Sequence, residues 1–216
     1  FDQLGSPSEI ARSLRTRWPA PVFFTLAFVI AIPVALVRSH VFSGMAAADR
    51  AAIVAMDIDR GGEDPLPVVV LNSPSTLLAL SMQSTLTVFH KDPRIAVYVL
   101  VMARMPVDYL RESDDTLVLN VGAPFLLTHR YERIFHTSEA PPPPGTVFIT
   151  PVFTATVLAS EGTGISSVRF TFRRSLDAPP CQFFAWQSGA YHRVSIPPIG
   201  QTLRFPRPEP TSPLVP

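Results

Sequence analysis

Five histidines, one cysteine and two acidic runs are the side chains of this 216-residue sequence whose chemistry could define a site. His40, His90, His129, His136 and His192 form no H-x-H, H-E-x-x-H or histidine–cysteine spacing, so a zinc centre would need ligands gathered from scattered positions, and none is expected. His40 could ligate a chlorin or haem from the end of a membrane helix, but it lies past Arg38 at headgroup depth, where a snorkelling polar residue is the simpler reading. The run Asp57-x-Asp59-x-Gly61-Gly62-Glu63-Asp64 superficially has the look of a calcium loop. Val68 stands at its twelfth position, where a bidentate Glu is required, so a solvated acidic turn is expected. Asp114 and Asp115 read as a charged loop, because nothing near them suggests desolvation. Cys181 follows Pro179-Pro180 and precedes an apolar run, which marks a buried structural thiol, and a lone cysteine makes no intramolecular disulfide. There is no G-x-S-x-G elbow, no P-loop and no G-x-G-x-x-G. Trp186 and Tyr191 fit either a binding face or core packing. The chemistry therefore points to a non-enzymatic chain with no cofactor.

The elements that must position these residues begin with Trp18–Val37, twenty residues without a charge, which as a helix would cover roughly 30 Å. That is the length of a membrane span. Its expected anchoring residues are Arg17 and Trp18 at one end, Phe23, Phe24 and Phe28 within, Pro33 as a kink that leaves the Val29 carbonyl unpaired, and Arg38 at the other end. The small residues Ala46–Ala48 would suit a cleaved signal peptide, but the apolar stretch is longer than a usual signal core. Arg12, Arg15 and Arg17 precede the span, against Arg38 and Arg50 after it, which favours residues 1–17 in the cytoplasm and the remainder in the periplasm. Ser43 is a plausible N-cap for a juxtamembrane helix within residues 43–60, carried by Met45–Met56.

From Leu66 the pattern changes to short apolar runs divided by turn residues. Strands are expected over Leu66–Leu71, Thr85–His90, Ile95–Met102, Thr116–Val121, Tyr131–His136, Thr146–Thr150, Val152–Ala159, Ser166–Arg173, Gln182–Gln187, Tyr191–Ile196 and Gln201–Phe205. Ile95–Met102, apolar almost throughout, is expected as a central strand buried on both faces. Glu161–Gly164 and Ser188-Gly189 read as hairpin turns. The expected fold class is mainly β: a single N-terminal transmembrane helix, a short juxtamembrane helix, an antiparallel β-sandwich-like domain over 66–196 and an extended Pro-rich C-terminal tail over 197–216. In that tail Pro206, Pro208, Pro210 and Pro213 are the candidate partner contacts, because a stiff polyproline strap loses little entropy when it docks.

Composition agrees with this plan. Hydrophobic residues are 47% and charged residues 16%, with a mean hydropathy of +0.25, which leans toward a membrane-associated chain. A net charge of +1 supplies no concentrated cation excess for nucleic acid. Lys91 is the one lysine among eighteen basic residues, a skew of coding bias rather than mechanism. The expected partners are the lipid bilayer and the integral membrane subunits of a hetero-oligomeric complex, in a bacterial inner or photosynthetic membrane. By analogy that complex is bioenergetic, either photosynthetic reaction-centre and light-harvesting or respiratory. The alternative is an envelope adaptor for secretion or transport that holds a ligand or peptide at a sheet edge.

Overall fold

The computed structural model describes residues 47–59, 66–102, 105–122, 140–162, 164–177 and 181–207. The transmembrane expectation over 18–37 and the candidate strand Tyr131–His136 lie outside these residues. Among the described residues no helix is long and apolar enough to cross a membrane. They are mainly β, with two sheets, two helices and two apolar cores.

The four-stranded sheet sits between those cores. Its strands run in the order β2 (Val97–Val99), β1 (Val68–Val70), β8 (Gln182–Gln187) and β9 (Ala190–Arg193). Alternate residues of β1 and β8 point to opposite faces, as the period of two demands. Val68, Val70, Phe184 and Trp186 enter one core, while Val69, Phe183 and Ala185 enter the other. The helices cover the first face. Helix α1 occupies residues 47–54, and α2 spans Thr76–His90. Ile53 and Met56 join Leu78, Met82 and Leu86 in that core. Leu78, Met82 and Leu86 recur every four residues, so one stripe of α2 faces the sheet.

The other face meets a six-stranded antiparallel sheet, ordered β10 (Thr202–Phe205), β3 (Val107–Arg111), β4 (Thr116–Val121), β7 (Gly164–Phe172), β6 (Phe153–Glu161) and β5 (Val147–Ile149). Aromatic rings stitch the two sheets together. Phe153 contacts Tyr98 edge-on with centroids 5.6 Å apart, and Phe172 meets Phe183 at 5.6 Å. Each such pair contributes about 0.5–1.5 kcal/mol beyond the area it buries.

The two packed sheets are consistent with a sandwich-like domain, but several expectations are corrected. The smaller sheet is mixed, not antiparallel, because β1 lies parallel to both β2 and β8. A parallel pair needs a crossover, and α2 provides the one between β1 and β2. Thr85–His90 is therefore the last part of α2, not a strand. Its alternating β-branched pattern yields to the Ser75 N-cap, whose Oγ accepts the Leu78 N–H at 3.1 Å, and to the buried four-residue stripe. The strand in Ile95–Met102 shrinks to Val97–Val99 and lies at the sheet margin, half-buried, while β1 takes the centre. The β2 margin is closed by a side chain: Gln83 Nε2 donates to the Ile95 carbonyl at 2.6 Å, and Gln83 Oε1 accepts from the Val97 N–H at 2.9 Å. That amide acts as a strand neighbour would. Sequence reading also missed β3, whose alternating burial of Val107, Tyr109 and Arg111 places it inside the larger sheet.

The hairpin turns fall where expected. Ser188 and Gly189 have φ of 50° and 84°, the paired positive values of a two-residue turn between β8 and β9. The strand expected at Gln201–Phe205, within the segment from Pro197 read as an extended tail, is β10, which pairs with β3 from Thr202↔Leu110 to Phe205↔Val107. Phe205 is wholly buried there.

Candidate docking surfaces and a cleft at Cys181

The candidate anchoring residues Arg17, Trp18, Phe23, Phe24, Phe28, Pro33 and Arg38 lie outside the described residues, as do His40, His129, His136, Pro208, Pro210 and Pro213. Pro206 is described: it is exposed directly after β10. His192 is exposed on β9, and His90 ends α2. Among the described residues no three His, Cys, Asp or Glu side chains form a cluster that could hold a metal. Asp57 and Asp59, from the acidic run, are exposed side chains on a backbone pinned at Asp59. The Asp59 N–H donates to Gln182 Oε1 at 2.7 Å, and its carbonyl accepts from Gln182 Nε2 at 2.7 Å.

A cleft of roughly 420 Å³ opens beside Cys181, between Leu66, Leu176, Gln182, Arg193 and Ile196. Two of its polar side chains are engaged with each other. Arg193 Nη2 donates to Gln182 Oε1. Cys181 is buried, and desolvation pushes its thiol up to about 12, so it stays protonated at neutral pH and packs as an apolar atom. Nearby Arg111 has a buried side chain that meets four acceptors: Asp177 Oδ1 at 2.7 Å and the carbonyls of Pro197, Ser113 and Asp114. The bond to Asp177 holds the guanidinium more firmly charged, against the pull of its burial, and lowers the Asp177 carboxyl in return. Asp115 is lowered by hydrogen bonds from Ser113 and Thr116. Arg111 thus acts as a clamp on the 113–114 loop and on the chain leaving β9. No sequence motif announces it, because its acceptors come from up to 86 residues away.

Trp186 and Tyr191, open between binding and packing in the sequence, belong to the core under the helices, with ring centroids 4.9 Å apart. Burial raises the Tyr191 phenol above its ordinary range, and a hydrogen bond with Ser73 at 3.0 Å partly offsets that. Asn72 extends the ladder beside them: its Oδ1 accepts the Trp186 N–H at 2.7 Å, and its Nδ2 donates to the Trp186 carbonyl at 3.3 Å.

Two exposed surfaces stand apart from this satisfied interior. At the margin of the six-stranded sheet, β5 leaves Val147, Phe148 and Ile149 exposed by 51%, 48% and 76%. With Val147 and Ile149 on one side and Phe148 on the other, this edge strand carries exposed apolar side chains on both sides of its open margin, which suits a protein neighbour. The sequence held a signal for this, since Thr146–Thr150 reads as a strand flanked by the Pro141–Pro144 run, but its exposure depends on sheet order. The second surface is the outer side of α2, where Leu80, Val88 and Phe89 are exposed. By contrast the outer face of the six-stranded sheet is polar: Arg204 pairs with Asp108 at 2.9 Å, and Arg169 pairs with Glu112 at 2.8 Å. Comparison of the chain with protein families, curated proteins and solved structures finds no match.

Proposed function

We propose that this chain is a non-enzymatic, single-pass, membrane-anchored accessory subunit that stabilises a larger membrane protein complex, with its β-rich domain on the periplasmic side. A bacterial bioenergetic assembly, photosynthetic or respiratory, is the setting suggested by analogy. The observation that carries the reading is the β5 margin, where Val147, Phe148 and Ile149 stand in solvent on a strand with one neighbour, β6, among the described residues. Such an edge invites aggregation unless another chain covers it. The uncharged stretch 18–37 supplies the anchor, and the prolines beyond Phe205, including Pro206, Pro208, Pro210 and Pro213, supply a stiff continuation from the β10 margin.

Extraction of native membranes in mild detergent tests the proposal. An accessory subunit co-purifies with integral membrane partners at fixed stoichiometry. The same edge also fits an envelope adaptor that takes an extended peptide as an added strand. An adaptor exchanges its partner when peptide is added, so a ratio that varies with added peptide replaces the first reading with the second. Turnover of an ester, glycoside or phosphate by the purified chain would overturn both.

A further inference from the structure

The two margins of the six-stranded sheet differ in charge. β10 carries Arg204, paired with Asp108 of β3, whereas β5 with its flanking residues reads Thr146-Val147-Phe148-Ile149-Thr150 and holds no charged side chain. That stretch reads almost the same in either direction: a threonine at each end, a β-branched aliphatic residue inside each threonine, and Phe148 at the centre. Its backbone is set by β6. The Thr146 carbonyl accepts from the Val157 N–H at 2.9 Å, and the Thr150 N–H donates to the Phe153 carbonyl at 2.9 Å. Antiparallel strands turn alternate residues toward a neighbour, so Phe148, opposite Ala155, also bonds inward, while Val147 and Ile149 turn their N–H and C=O to the open side.

This near-palindrome indicates what covers the margin. Antiparallel pairing of two identical strands about a two-fold axis sets each residue against its counterpart across the centre, so a strand suits its own copy when it is uncharged and symmetric. With the axis at Phe148, Val147 meets Ile149 of the second copy and each threonine meets a threonine. Every outward N–H and C=O of Val147 and Ile149 then has its complement in the partner strand. Neighbouring registers fail. Centring on Val147 sets Ile149 against Gly145, whose N–H is already bound to the Val157 carbonyl at 2.8 Å, and centring on Ile149 sets Val147 against Pro151, which has no N–H. Phe148 lies on the side of Ala155, which faces the core between the sheets, so two Phe148 rings meet at the rim of that core.

We propose that β5 pairs antiparallel with β5 of a second copy, Phe148 against Phe148, joining two six-stranded sheets across a two-fold axis. This rests on the reading of the β5 margin as a covered edge given above, and it names the cover. Each copy offers one such margin, so the pairing closes at a dimer. The membrane complex then receives the subunit as a pair.

Disulfide trapping on the full chain in mild detergent tests the register, with the single variants Val147→Cys, Phe148→Cys and Ile149→Cys. All three positions are exposed, so the fold tolerates the change, and Cys181 is buried with its thiol protonated, so it stays out of the exchange. Facing residues outside the hydrogen-bonded pairs sit about 4.5 Å apart at Cα, within the span of about 4.4–6.8 Å that a disulfide bridges. Positions 147 and 149 lie on a diagonal of about 7–8 Å from their own copies, beyond that span. Phe148→Cys is therefore expected to give a covalent dimer on mild oxidation, and Val147→Cys and Ile149→Cys little or none. Random collision gives the reverse order, because Ile149 is 76% exposed and Phe148 48%. One strand per copy is a small interface, so sedimentation of the unmodified chain is expected to give a dissociation constant on the order of 1–100 μM, raised at least about tenfold by Ile149→Lys. A chain that stays monomeric up to about 1 mM, or cross-linking led by position 149, overturns the inference. Fixed stoichiometry with membrane partners in that monomeric chain leaves the accessory reading standing. A dimer trapped at 148 with no such partners upholds the inference and removes the accessory reading. Two further results overturn the inference: a monomer whose Val147 and Ile149 amides resist hydrogen exchange assigns the margin to residues 123–139 of the same chain, and cross-linking at 148 only to an added membrane protein assigns it to that protein.

Discussion

Tyr109 joins the two sheets through one buried hydrogen bond, from its hydroxyl on β3 to the carbonyl of Leu71 just past β1. Its ring also meets Phe205 edge-on at 6.2 Å, which ties β10 into the same core. Tyr109→Phe keeps the ring and leaves the Leu71 carbonyl without that donor, so a loss of about 1–3 kcal/mol is expected in urea unfolding at neutral pH, with an unchanged slope. Buried acids also govern the response to alkali. The Cys181 thiol is raised to about 12, and the Tyr109 and Tyr191 phenols are raised above their ordinary 10.0, all chiefly by desolvation. The folded state keeps these protons at pH values where the unfolded chain has released them. Stability is therefore full below the unfolded values and falls as pH rises through the window between unfolded and folded values. The urea midpoint is expected to hold steady near neutrality and decline from about pH 9 upward. Cys181→Ala removes the first contributor and should move the onset about one pH unit higher. An onset that stays in place would show that the thiol does not titrate with unfolding.

Among the elements, α2 is governed at its two ends by residues acting in opposite directions. Ser75 adopts an extended backbone and caps the first turn, so Ser75→Ala should cost about 1 kcal/mol, while Ser75→Asp should nearly restore it. Lys91 at the other end sits in the left-handed region with φ 54°, where a Cβ is unfavourable. Lys91→Gly is expected to raise stability by up to about 1 kcal/mol, read as a higher thermal midpoint. The two substitutions lie sixteen residues apart, at opposite ends of one helix, so their effects should add. A strand over Thr85–His90 would respond to neither change. The same segment shows why the pattern misled: TLTVFH alternates like a strand, and only the packing of Leu78, Met82 and Leu86 against the sheet reveals the period of four.

For the whole molecule, the exposed β5 margin separates folding from association. Ile149 is 76% exposed, so Ile149→Lys should leave the unfolding free energy within about 0.5 kcal/mol and yet abolish co-purification with membrane partners in mild detergent. Retained stoichiometry in that variant would move the partner contact elsewhere. The sequence by itself determined the β-rich character, the positions of β1, β4 to β8 within a few residues, the Ser188-Gly189 turn and the uncharged stretch 18–37, because each rests on residue type and local period. The apolar alternation of the Phe153 and Phe172 strands was legible for the same reason. Tertiary structure alone decided that β1 runs parallel to its neighbours, that the strand expected at Gln201–Phe205 pairs with β3 at the margin of the larger sheet, that Arg111 clamps the chain after β9, and that β5 and α2 present apolar faces outward. Those features depend on which strands become neighbours and which layer is outermost. Sequence periodicity carries the side a residue faces, but which partners lie on that side is set by contacts between residues far apart in the chain.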